Sequence, residues 1–66
     1  MALPNEVIAK LKSAIQQYDN NIDNLKHEIS RARAAGIDVT PLQSQLTTLE
    51  NQVRQIKTQY ASELAS

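Results

Sequence analysis

Asp19, Asn21 and Asp23 stand at alternate positions, the donor spacing that opens a calcium-binding loop. Such a loop also needs Gly at its sixth position for a sharp turn and Glu at its twelfth to grip the ion with both oxygens. Here those positions hold Asn24 and Ser30. The donor set is incomplete, so no metal site is expected. The run from Tyr18 to Asn24 instead places Asp19, Asn20, Asn21, Asp23 and Asn24 in the middle of a helical pattern. Asp and Asn each disfavour a helix by about half a kcal/mol or more relative to Ala. Two meanings fit: a solvated face with a weakened helix middle, or a polar recognition surface. In the second, Asp19, Asn20, Asp23 and Asn24 join Gln52 and Gln55 as a candidate partner surface.

The basic residues offer different chemistry. Arg31, Arg33, Arg54 and Lys57 form a candidate anion site if copies of the chain meet, because guanidinium groups bind phosphate with paired hydrogen bonds. Tyr60 is a further candidate contact for a nucleotide held there. An RNA surface would draw on Lys10, Lys12, Lys26 and Arg31, but no aromatic platform accompanies them. The alternative for all these groups is a charge-balanced, solvated surface.

Nothing resembles a catalytic set. His27 is the only histidine, and the serines have no neighbouring base. There is no Cys, so neither a disulfide nor a Cys/His metal site can form. No enzyme activity and no cofactor are expected.

Two apolar stripes must position these groups. The first is Ile8, Leu11, Ile15, Tyr18, Ile22, Leu25, Ile29 and Ala32; the second is Leu42, Leu46, Leu49, Val53, Ile56 and Tyr60. Steps of three and four alternate, so each stripe follows one edge of a helix. The spacing predicts helix 1 over about 4–35 and helix 2 over about 41–64, joined by a turn at 36–40. Pro4 suits a first helical position. Glu6 lies at the end favoured by negative charge, and Lys26, Arg31 and Arg33 lie toward the end favoured by positive charge. Gly36 can close helix 1 in the left-handed conformation, with Ile37 folding back on its last turn. Thr40, Pro41 and Gln43 read as an N-cap, a first helical residue and the partner of a Thr-x-x-Gln capping box. Glu50 and Arg54 are spaced as an i,i+4 ion pair.

One continuous helix is disfavoured, because Pro41 would cost about 3 kcal/mol in a helix interior and Gly36 about 1 kcal/mol. The expected fold is all-α, a single domain over 1–66: an antiparallel, coiled-coil-like two-helix hairpin. The 66 residues make a thin core, and Tyr18 and Tyr60 are expected within it. Flanking positions such as Lys12, Asp19, Asn21 and Glu28 are polar, which leaves a narrow stripe. Two hairpins that pool their stripes into a four-helix bundle bury the same side chains more fully, at about 25 cal/mol per Å². The stripe residues from Ile8 to Ile29 and from Leu42 to Tyr60 are thus the expected oligomer core, and a homodimer is the simplest assembly.

Seven basic and seven acidic residues balance. That argues against a dedicated nucleic-acid binder and against a polybasic membrane anchor. No apolar run approaches the roughly 20 residues of a membrane span. The opening Met1–Glu6 lacks a basic segment followed by an apolar core, so no leader is read and a cytoplasmic location is expected.

In length and inferred topology the chain is similar to small hairpins that dimerise into four-helix bundles among plasmid RNA-binding copy-number regulators. It is similar also to the hairpin co-chaperones of type III secretion. The functional expectation is a self-associating interaction protein, an adaptor or inhibitor that presents polar helix faces to another protein. Its small size also suits an accessory protein of a phage or mobile element. The alternatives are an oligomeric nucleotide or anion sponge with sites at subunit junctions, and a small RNA-binding bundle.

Overall fold

The computed structural model describes residues 3–65; Met1, Ala2 and Ser66, at the ends of the expected domain and leader readings, lie outside the described residues. Among the described residues all regular structure is helical. Helix α1 spans Asn5–Ala34, α2 spans Thr40–Gln59, and a short α3 spans Ala61–Leu64. α1 and α2 pack against each other as an antiparallel hairpin with principal extents of 51 × 15 × 13 Å.

Pro4 is extended (φ −58°, ψ 149°) and caps α1 instead of occupying its first turn. Its carbonyl accepts hydrogen bonds from the amides of Val7 and Ile8 at 3.0 and 3.1 Å. Glu6 in the first turn and Arg31 and Arg33 in the last complement the helix dipole. At the other end Gly36 has φ 79°. The Ile37 amide donates to the Ala32 carbonyl at 2.9 Å, and the Gly36 amide to the Arg33 carbonyl at 3.0 Å. These two bonds are a Schellman closure, which satisfies carbonyls that the helix end would otherwise orphan. The Ile37 side chain does not fold back into shelter; it is 59% exposed.

The start of α2 departs from the expected capping box. Thr40 is already helical, Val39 occupies the cap position without a side-chain bond, and Pro41 falls in the first turn. Asp38 takes the capping role instead. Its Oδ1 accepts from the Thr40 amide at 3.0 Å and from the Thr40 hydroxyl at 2.7 Å. With its hydroxyl committed to Asp38, Thr40 has no lone role as a cap for Gln43, whose amide bonds the Val39 carbonyl at 2.8 Å. The two bonds from Thr40, the backbone one foremost, hold the Asp38 carboxyl below its ordinary value.

Helix 2 is also interrupted. Tyr60 leaves helical geometry (φ −114°, ψ 27°), which divides the expected 41–64 span into α2 and α3. Continued three-four spacing would bring Glu63 to the seam after Tyr60. The break shifts the phase, and Leu64 packs on the core in its place.

The core is thin. Ile15, Ile22 and Val53 form a buried cluster, and Leu11, Tyr18, Leu46, Leu49, Ile56 and Leu64 pack partly buried against it. Ile29, nearer the turn, is the most sheltered of these apolar side chains at 4% exposure. Tyr60, expected in the stripe, stands 38% exposed in the single hairpin. No helix among the described residues is long and apolar enough to cross a membrane.

Candidate interaction surfaces

The seam consists of two rows, and the hairpin treats them differently. In heptad terms Ile8, Ile15, Ile22, Ile29, Leu46, Val53 and Tyr60 hold one core position, and Leu11, Tyr18, Leu25, Ala32, Leu42, Leu49 and Ile56 hold the other. The four buried side chains, Ile15, Ile22, Ile29 and Val53, all belong to the first row. Every member of the second row is only partly buried. Closing one hairpin therefore shelters the middle of one row, with Ile8 and Leu46 half-buried and Tyr60 exposed, and leaves the whole of the other half-wet.

The two long edges beside the seam also differ. Along the first runs an open groove of about 920 Å³ with Ile22 and Val53 in its lining. Six charged side chains surround that floor: Asp19, Asp23 and Lys26 from α1, and Glu50, Arg54 and Lys57 from α2. Lys57 Nζ lies 3.9 Å from Asp19 Oδ2 across the helices. Acids and bases are equal in number, so a simple anion there meets as much repulsion as attraction.

The second edge is built of amides. Between Thr40 and Gln59 the only charged residues are Glu50, Arg54 and Lys57, all in the groove. Heptad geometry puts Gln45, Thr48, Gln52, Gln55 and Gln59 on the opposite side of α2. The matching positions of α1 are Lys10, Ala14, Gln17, Asn21 and Asn24, all exposed. Closer to the turn this edge carries Glu28 and Arg31, which pair with each other at 3.0 Å. A shallow hollow of about 420 Å³ on this edge is lined by Ser44, Gln45, Thr48, Leu49 and Gln52.

The sites read from the sequence map onto this frame in pieces. Of the candidate partner surface, Asp19 and Asp23 line the charged groove, Asn24, Gln52 and Gln55 lie on the amide edge, and Asn20 is on the outer face of α1. Of the candidate anion site, Arg54 and Lys57 line the groove. Arg31 is on the other edge beside Glu28. Arg33 shares the heptad position of Lys26 but lies seven residues beyond it along α1, on the order of 10 Å past the groove lining. One hairpin thus does not assemble the four cations. The RNA candidates divide likewise, with Lys26 lining the groove that Glu50 also lines and Arg31 paired on the far edge. α1 runs without a turn through Asp19–Asn24, so no cation-binding loop forms there, and no acidic or histidine cluster among the described residues is arranged to hold a metal. His27 is exposed on α1. The expected Glu50–Arg54 ion pair is not formed within 4 Å, whereas Glu28 does pair with Arg31 and Asp19 with Lys57.

The segregation of charge is the feature that sequence reading missed. Its signal is the 50, 54, 57 spacing, which follows one side of α2. Comparison with known proteins finds no matching family model, no matching curated protein and no matching solved structure.

Proposed function

We propose that this chain is a non-enzymatic, self-associating helical hairpin that acts as an adaptor or inhibitor through protein–protein contact. The observation that carries this reading is the half-exposed second row of the seam. Leu11, Tyr18, Leu25, Leu42, Leu49 and Ile56 are spaced for burial, yet the hairpin alone leaves each of them partly in water. Pooling such rows between copies recovers about 25 cal/mol for each Å² of apolar surface removed from water. A chain this short and without disulfides gains stability most directly that way.

The polar edges then serve contact with another protein. The mixed-sign groove supports this use better than anion capture, since its acids lie among its bases. A nucleotide sponge or an RNA-binding bundle would need cations gathered apart from acids, and Arg31, Lys26, Arg54 and Lys57 are each found near acidic side chains or split between edges.

The test is mass in solution by light scattering from micromolar to millimolar concentration. A dimer or larger assembly is the expected result. A helical species that stays at 7.4 kDa throughout overturns the self-association.

A further inference from the structure

We infer that the amide edge, with the half-buried second row beside it, is the docking surface for a second copy of this chain, while the charged groove faces outward. The inference rests on the self-association proposed above and adds which face is used.

Two edges compete for the role. Pairing through the groove would remove Asp19, Asp23, Lys26, Glu50, Arg54 and Lys57 of each copy from water. Desolvating ion pairs often cancels or exceeds their mutual attraction. The Asp19–Lys57 attraction is moreover satisfied within one chain. Pairing through the amide edge keeps the groove charges in water and meets charge only toward its ends, at Lys10 and at the Glu28–Arg31 pair.

Heptad geometry reinforces the choice. Side chains of the second row, such as Tyr18, Leu25, Leu49 and Ile56, adjoin the positions of Asn21, Gln45, Gln52 and Gln59. The first row, buried at Ile15, Ile22, Ile29 and Val53, adjoins the charged edge. The row left partly exposed along its whole length is therefore the one beside the amide edge. Leu49 lines the hollow there with Gln45 and Gln52.

A second copy is the occupant because the edge is complementary to itself. Every side-chain amide both donates and accepts hydrogen bonds. Two such edges related by a two-fold axis can satisfy each other without opposed charges.

The experiment places like charges on each edge in turn. Gln52→Lys with Gln55→Lys charges the amide edge; Asp23→Lys with Thr58→Lys charges the groove edge by a larger amount. All four positions are exposed in the hairpin, and circular dichroism verifies that helicity is kept. Sedimentation equilibrium should show the amide-edge variant dissociating at least tenfold more readily than the wild type, with the groove-edge variant unchanged. Mixing the Gln52→Lys/Gln55→Lys chain with a Gln52→Glu/Gln55→Glu chain should restore a heterodimer. A wild-type dimer that survives the amide-edge lysines, or that is lost with the groove-edge ones, overturns the assigned face and leaves self-association standing. A wild type that is monomeric at every concentration overturns both.

Discussion

The Asp19 carboxylate and the Lys57 ammonium meet 3.9 Å apart across the two helices, each about half exposed. They mark the antiparallel register: seven residues nearer the turn on each helix, Lys26 and Glu50 line the same groove. Exposed pairs of this kind contribute about 0.2–1 kcal/mol. Asp19→Ala should therefore lower stability by less than about 1 kcal/mol. Chemical denaturation with urea at low and high salt checks this, since screening should erase most of the difference. A loss several times larger, or one insensitive to salt, would show that Asp19 does more than pair with Lys57.

Ile22 sits at the middle of the seam at 8% exposure, packed in one cluster with Ile15 and Val53. Ile22→Val removes one methyl group and should cost about 0.5–1.5 kcal/mol. Ile22→Asp puts a charge among apolar neighbours and should unfold or dissociate the protein. Far-ultraviolet circular dichroism and solution mass read both variants. Unchanged helicity and mass in Ile22→Asp would contradict the seam.

Gly36 has φ 79°, and a Cβ built there meets nothing within 4 Å. Any penalty for a side chain must then come from the backbone alone. A β-branched residue tolerates this region poorly, whereas Asn visits it readily. Gly36→Val should cost about 1–2 kcal/mol and Gly36→Asn clearly less. Thermal melts of the two variants separate a backbone cause from a steric one; equal losses would argue for sterics.

Much of this architecture is legible in residue spacing. Two stripes with three-four steps, interrupted by Gly36 and Pro41, dictate two helices and a turn. Local competitions are less legible. Asp38 and Thr40 are both good cap residues, and the choice depends on reach: one Asp38 oxygen binds both the amide and the hydroxyl of Thr40. The break at Tyr60 is hidden because tyrosine fits the stripe as an apolar residue. Only Glu63, falling where the next seam residue belongs, hints at the change of phase. The charge-sorted edges need the register itself, since α1 residues acquire an edge only when α2 lies beside them. Asp19 and Asn24 look like one surface on a single helix and belong to different edges of the hairpin.

The Asp38–Thr40 link makes the turn sensitive to acid. Hydrogen bonds from Thr40 hold the Asp38 carboxyl below its ordinary value of 3.8. A lowered folded-state value means the charged form is favoured by folding. The stabilisation is fully present above the ordinary value and fades as pH falls through the lower, folded-state one. Asp38→Ala should lower the melting temperature at neutral pH, and its deficit should narrow in acid below that range. A deficit that stayed constant into strong acid would assign the effect to the side chain's bulk and not to its charge.

The break at Tyr60 yields the last expectation, because it exchanges the roles of two apolar residues. Tyr60 is 38% exposed, while Leu64 packs against the Ile15–Ile22–Val53 cluster. At dilute, monomeric concentration Leu64→Ala should be the more harmful substitution, though below the roughly 2–5 kcal/mol of a fully buried leucine because Leu64 is only partly covered. Tyr60→Ala should then cost under about 1 kcal/mol, as surface substitutions do. Thermal melts at dilute concentration rank the pair. A reversed order would mean that α2 continues unbroken and carries Tyr60 into the seam, returning Glu63 to the position that Leu64 holds here.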